Sequence, residues 1–175
     1  MRGVAARYPA IDAKSGHLLN IEGRILQCRV ERQGAAPFGN ESEQLLGLTI
    51  FIAQQSRGSP LNVSIEGAAR SHFEAGRSFF YARRGQFNLS CANCHEENWG
   101  RRLSAETISQ GHPNAYPIYR LEWQSVGSLE RRMRACVSGV RAEMRPYGSP
   151  KILDLELFLA WRAQGLPLEA PGVRR

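Results

Sequence analysis

Three residues with one strict spacing dominate this chain: Cys91, Cys94 and His95, in "NLSCANCHEENWG". C-x-x-C-H is the pattern to which haem c is attached. Two thiols at this distance can add across the two vinyl groups of a porphyrin, and the adjoining imidazole then reaches the iron from one side. A redox C-x-x-C would use the same pair differently, as a low-pKa thiol and its resolving partner. A zinc site would need a second pair of ligands, and the sequence offers none. The haem reading is preferred. It carries an expectation of export, although no leader is visible in "MRGVAARYPA".

Iron held by one histidine needs a second axial ligand. Small electron-transfer cytochromes usually supply methionine. The downstream candidates are Met133, Met144, His112 and Cys136. In "GSLERRMRACVSGVRAE" Ser128 is an N-cap, and Leu129, Met133, Cys136 and Val140 form one helical stripe. Cys136 would then be either a core thiol or, with Arg132 one turn before it, a thiolate beside an anion-binding guanidinium.

The elements expected around the motif are helices. "SIEGAARSHFEAGRSFFYARRGQ" places Phe73, Gly76, Phe79 and Phe80 on helical spacing, with Gly85 as the stop. In "SPKILDLELFLAWRAQG", Ser149 is the expected N-cap, Pro150 the first helical residue and Gly165 the C′ residue. A helix before the motif and one near the end of the chain is the class I cytochrome c arrangement. Gly76 would let the two cross closely against Phe158 or Trp161.

The chain also resembles itself. "NIEGRILQC" aligns with "SLERRMRAC" at an offset of 108, matching Glu22, Arg24 and Cys28 to Glu130, Arg132 and Cys136; Tyr8-Pro9 and Tyr116-Pro117 share that offset. "LTIFIAQQSRGSPL" aligns with "LELFLAWRAQGLPL" at 107. A repeat of this length means tandem domains. The expected architecture is mainly α: a partial N-terminal cytochrome c-like domain over 1–62 and a haem-bearing domain over 63–175. Moving the motif back by 108 puts it before residue 1, so the first domain is expected to lack its own motif and first helix, as after truncation. Arg-x-x-x-Cys occurs in both halves, which favours Cys136 as iron ligand. Cys28 would then be the ligand of a lost first haem or one half of a disulfide.

Composition narrows the class. The 175 residues are 42% apolar and 22% charged, with a net charge of +7, and all but Lys14 and Lys151 of the 23 basic residues are arginine. Arginine suits oxyanions. No basic cluster interleaved with aromatics points to nucleic acid, and no run reaches membrane-span length.

Taken together, "GVAARYP", "IEGRILQC", "QSRGSPL", "GRSFFYARRGQFNLSCANCH", "GSLERRMRAC" and "LELFLAWRAQGLPLEAPGVR" resemble the SoxA family, the A subunits of the sulfur-oxidising SoxAX cytochrome complexes. The resemblance runs over nearly the whole chain. It implies one or two haems, a periplasmic location and a SoxX-like small cytochrome c as heterodimeric partner. It also implies L-cysteine S-thiosulfotransferase activity, coupling thiosulfate oxidatively to a cysteine of the carrier SoxYZ. In that family the distal iron ligand is a cysteine persulfide, which falls on Cys136; active-site arginines fall on Arg132 and Arg162. The competing expectations are a plain electron-transfer cytochrome with His95 and Met133 or Met144 on iron, and a scaffold subunit in which haem is a staple.

Overall fold

The computed structural model describes residues 1–174. It contains six α-helices: α1 (Ile21–Gln33), α2 (Glu43–Gln55), α3 (Ala69–Tyr81), α4 (Cys91–His95), α5 (Leu129–Gly139) and α6 (Pro150–Arg162). Short strands fill the connections: β1 (Ala10–Ile11), β2 (Leu18–Leu19), β3 (Arg102–Leu103), β4 (Glu106–Thr107), β5 (Ile118–Arg120), β6 (Ser125–Gly127) and β7 (Gly172–Arg174). β1 pairs with β2 and β3 with β4, while β5 lies between antiparallel β6 and parallel β7. No helix among the described residues is long and apolar enough to cross a membrane.

The internal repeat is reproduced down to register. Ala10 faces Leu19 and Ile11 faces Leu18 in the first half; Ile118 faces Gly127 and Tyr119 faces Val126 in the second, each 108 residues on. Asn20 Oδ1 accepts from the Gly23 amide at 2.8 Å, and Ser128 Oγ from the Arg131 amide at 3.1 Å, so both ladders run straight into a side-chain N-cap. The halves meet along a pseudo-two-fold axis at an antiparallel Pro60–Pro167 bridge. Gly58 N donates to Leu168 O at 2.8 Å, and its counterpart Gly165 N donates to Leu61 O at 2.9 Å.

Packing is dense where α3 crosses α6. Phe80, Phe158, Ile152 and Leu157 are fully enclosed there. Phe158 contacts Phe73 and Phe80 with ring centroids at 5.6 and 5.2 Å, in tilted geometries that aromatic quadrupoles favour. Gly76 permits the crossing: a Cβ there would overlap the Asp154 carbonyl and sit 3.0 Å from Phe158 Cβ. On α2 the equivalents of Leu155 and Phe158, which are 3% and 2% exposed, are Leu48 and Phe51, at 43% and 51%. Among the described residues α2 has no partner equivalent to α3.

Local expectations needed four corrections. α3 stops at Tyr81, with Ala82 already extended. Gly85 lies beyond it in the Arg84–Leu89 turn, at φ +69°, where a Cβ would overlap the Val140 carbonyl; close approach, not helix termination, requires the glycine. Ser149 is the N-cap of α6 by position, but its hydroxyl makes no capping bond. Gly165 comes two residues after the cap Ala163, where its amide crosses to Leu61. The stripe on α5 is rotated: Glu130, Met133 and Val137 are the buried residues, and Cys136 is exposed.

Candidate functional site

The C-x-x-C-H motif forms the single short helix α4. Its start is held by a capping box: Ser90 Oγ accepts from the Asn93 amide at 3.3 Å, and Asn93 Oδ1 accepts from the Ser90 amide at 2.9 Å. This fixes the turn that carries both thiols. The four cysteines are unpaired in the structure. Burial pushes the Cys91 thiol up, against the pull of Arg84, whose Nη1 lies 3.6 Å from its sulfur. Burial also raises Cys94, and a Cys136 charge acts in the same direction on both. That pattern is opposite to the depressed thiol a redox C-x-x-C relies on. Cys136, on α5, is therefore near enough to the attachment pair for its charge to act on both thiols.

His95 is set up as a ligand. Its Nδ1 lies 2.7 Å from the Ser109 carbonyl oxygen. A carbonyl only accepts, so Nδ1 carries the proton and Nε2 keeps its lone pair for a metal. Burial lowers its basicity, the hydrogen bond to Ser109 works against this, and Arg162 and Arg132 add to the lowering, all of which favours the neutral ring on balance. The loop behind it is close: a Cβ at Gly111, at φ +74°, would come within 3.0 Å of His95 Cγ. Two thiols on one turn and an oriented imidazole beside them, with a third sulfur near enough to act on both thiols, fit a covalently bound haem. Cys91, Cys94 and His95 would hold it, with Cys136 as the candidate on the other face.

The other axial candidates differ sharply in setting. Met133 is 6% exposed and packed in the core with Phe73, Phe80 and Leu155. Met144 is 49% exposed beyond the end of α5. His112 is half-buried and near His95 and Arg162, both of which lower its basicity after burial does. Cys136 is exposed, which removes the core-thiol reading.

The two arginines have different partners, although both are near enough to His95 to lower its basicity. Arg132, one turn before Cys136, is half-buried. Burial opposes its charge, but Cys136, Tyr116 and Glu106 outweigh that and hold it protonated. Arg162 lies on the His95 side. Its Nη1 donates to the Gln110 carbonyl at 2.9 Å, its Nη2 lies 3.4 Å from Glu96 Oε1, and its guanidinium stacks 4.5 Å over the Phe80 ring. The same Glu96 oxygen accepts from Tyr81 Oη at 3.0 Å. In the first half, Arg24 and exposed Cys28 repeat the α5 spacing, with Arg24 Nη1 2.7 Å from Asp12 Oδ1. Glu106, Glu96 and Ser109 were not marked by any sequence pattern; they lie in loops and two-residue strands where no periodicity operates.

Comparison with known proteins converges. A family model described as "SoxA/TsdA, cytochrome c domain" matches residues 1–61. The chain is 39% identical over 176 residues to the L-cysteine S-thiosulfotransferase subunit SoxA of Pseudaminobacter salicylatoxidans, covering 100% of this chain and 62% of that protein. It is 38% identical to the SoxA subunit of Paracoccus pantotrophus, covering 99% of this chain and 60% of that one. The crystal structure of SoxXA from P. pantotrophus superimposes with a TM-score of 0.96 at 37% identity, over 99% of this chain and 66% of that chain. The chain thus spans roughly three fifths of the length of the curated relatives it matches.

Proposed function

Since the chain belongs to the SoxA family, we propose that it is the haem c-bearing subunit of a thiosulfate-oxidising complex with L-cysteine S-thiosulfotransferase activity. The reaction joins thiosulfate to a carrier cysteine, the one on SoxYZ: RSH + S₂O₃²⁻ gives RS–S–SO₃⁻, one proton and two electrons. A small SoxX-like cytochrome c partner, in a periplasmic heterodimer, takes the electrons onward. Residues 63–175 form the haem-bearing domain and residues 1–62 a partial copy of it; a second haem would belong to a longer form.

The observation that carries this reading is the exposed Cys136 on α5, near enough to Cys91 and Cys94 for its charge to act on both, with Arg132 one turn away. Haem bound through Cys91, Cys94 and His95 would supply an iron that accepts electrons singly. The protein's own residues do the rest. His95 is presented as a neutral ligand by the Ser109 carbonyl. Arg132 offers a planar fork to the thiosulfate dianion. Cys136, as a persulfide, would carry sulfane sulfur and would be the second candidate to hold the iron. Arg162 acts through His95, by tying the Gln110 loop and Glu96 beside it.

The test is replacement of Cys136 by alanine or methionine in the haem-loaded protein. Loss of thiosulfate-dependent turnover with haem retained and an altered iron spectrum supports the proposal. An unchanged spectrum removes Cys136 from the iron and favours a His/Met electron-transfer cytochrome instead.

A further inference from the structure

Arg132 is held from outside its own helix. Its Nη2 lies 3.7 Å from Oε2 of Glu106, the first residue of β4. The other oxygen of that carboxylate pairs with Arg120 on β5. Arg120 is 4% exposed, and its Nε lies 2.8 Å from Glu122 Oε1. Its guanidinium also lies 5.3 Å from the centre of the Trp123 ring. A buried guanidinium hydrogen-bonded to Glu106, with a second carboxylate at ion-pair distance and an aromatic ring beside it, is a fixed post, although its Nε makes no hydrogen bond. Glu106 is therefore anchored through one oxygen and presents the other to Arg132.

The two contacts differ in kind. The Arg120 contact is a tight ion pair. The Arg132 contact, at 3.7 Å, is longer than a hydrogen bond and acts by charge alone. Such a contact sets the direction of a long, flexible side chain without consuming its N–H donors. Among the described residues Glu106 is the one carboxylate within ion-pair distance of Arg132. The rest of the guanidinium fork stays available for an oxyanion beside Cys136.

We propose that Glu106 is a positioning residue: anchored by Arg120, it aims the Arg132 guanidinium so that thiosulfate is bound next to Cys136. The inference rests on the reading of Arg132 as the thiosulfate-binding group. The carboxylate does not touch substrate; its effect passes through Arg132. Binding that is equally strong in ground and transition states appears in KM and not in kcat.

The experiment uses the haem-loaded chain with its cytochrome partner and reads thiosulfate KM, kcat and, separately, equilibrium binding of radiolabelled thiosulfate. Glu106→Ala is expected to raise both KM and Kd about tenfold, the equivalent of one charge-assisted contact, with kcat within about twofold and the haem spectrum unchanged. Glu106→Gln has the same volume and guards against a folding defect in the alanine variant. It should show the same rise, because it cannot satisfy Arg120 and attract Arg132 together. Glu106→Asp should recover most of the affinity. KM and Kd unchanged in Glu106→Gln would overturn the inference. So would a fall in both, which would mean that Glu106 only repels the dianion. Arg132→Ala separates the two layers. If it leaves Kd unchanged, the anion-site reading itself fails. If it raises Kd while Glu106→Gln does not, only the positioning role fails.

Discussion

Replacing Glu156 by glutamine should make the protein more stable at alkaline pH and leave it unchanged in acid. Glu156 sits where the two halves meet, 5% exposed, and Glu130 at 6% and half-buried Glu22 face it. One amide serves two of them: Asn20 Nδ2 donates to Glu130 Oε1 and to Glu156 Oε2, each at 3.0 Å. Glu130 Oε2 also accepts from the Gly148 amide at 2.7 Å. Glu41 adds a further negative charge, and Arg134 is the cation acting on Glu130. Burial, then mutual repulsion, lifts Glu156 well above the ordinary carboxylate range and Glu22 to about 7. Such groups take up protons on folding. Their favourable contribution is whole below the unfolded pKa, about 4.5, and is lost as pH rises through the folded values. For Glu22 alone, a rise from 4.5 to about 7 corresponds to a loss on the order of 3 kcal/mol between those pH values. Glu156→Gln keeps an oxygen for Asn20 and removes the group whose ionisation Glu130 and Glu22 oppose. The expected gain at pH 8 is roughly 1–3 kcal/mol, a rise in melting temperature on the order of 5 °C for a chain of this size, against no more than about 0.5 kcal/mol at pH 4. Thermal or urea melts of the haem-loaded protein from pH 4 to 8 measure this. A variant destabilised equally at both ends would refute the reasoning, since it would mean that folding does not shift the titration of Glu156.

Two glycine substitutions test the geometry of the site. Gly76→Ala forces a methyl into the Asp154 carbonyl at the α3–α6 crossing. Because the clash is with backbone, the loss should reach about 3 kcal/mol or more, seen as a lowered denaturation midpoint with the haem still attached. Gly111→Ala presses on the His95 ring and strains a positive φ. It should alter the iron spectrum while changing global stability by only about 1–2 kcal/mol; an unchanged spectrum would show that the Ser109–Gly111 loop does not orient His95.

The amino-acid order settled what depends on neighbours along the chain. Cys91, Cys94 and His95 are consecutive on one turn, so their joint chemistry could be read from spacing. The caps Asn20 and Ser128 act on amides three residues away, and the repeat showed itself through identities at constant offset. The need for a small residue at position 76 is expected from the class I cytochrome c crossing of two helices, and the structure supplies its partner, the Asp154 carbonyl. Tertiary structure decided the rest. Cys136 and Met133 lie three residues apart on one helix, and which of them is buried depends on the rotation of α5 against α6, which side-chain periodicity misjudged by about one position. Arg132 and Arg162 look equivalent as basic residues, yet folding places one against Glu106 and the other against the loop of His95. The carboxylates Glu22, Glu130 and Glu156 are scattered over 134 residues of sequence and become one proton-holding group only where the pseudo-two-fold axis brings α1, α5 and α6 together. Charge interactions depend on distance in space and on the local dielectric, neither of which is a local property of the chain.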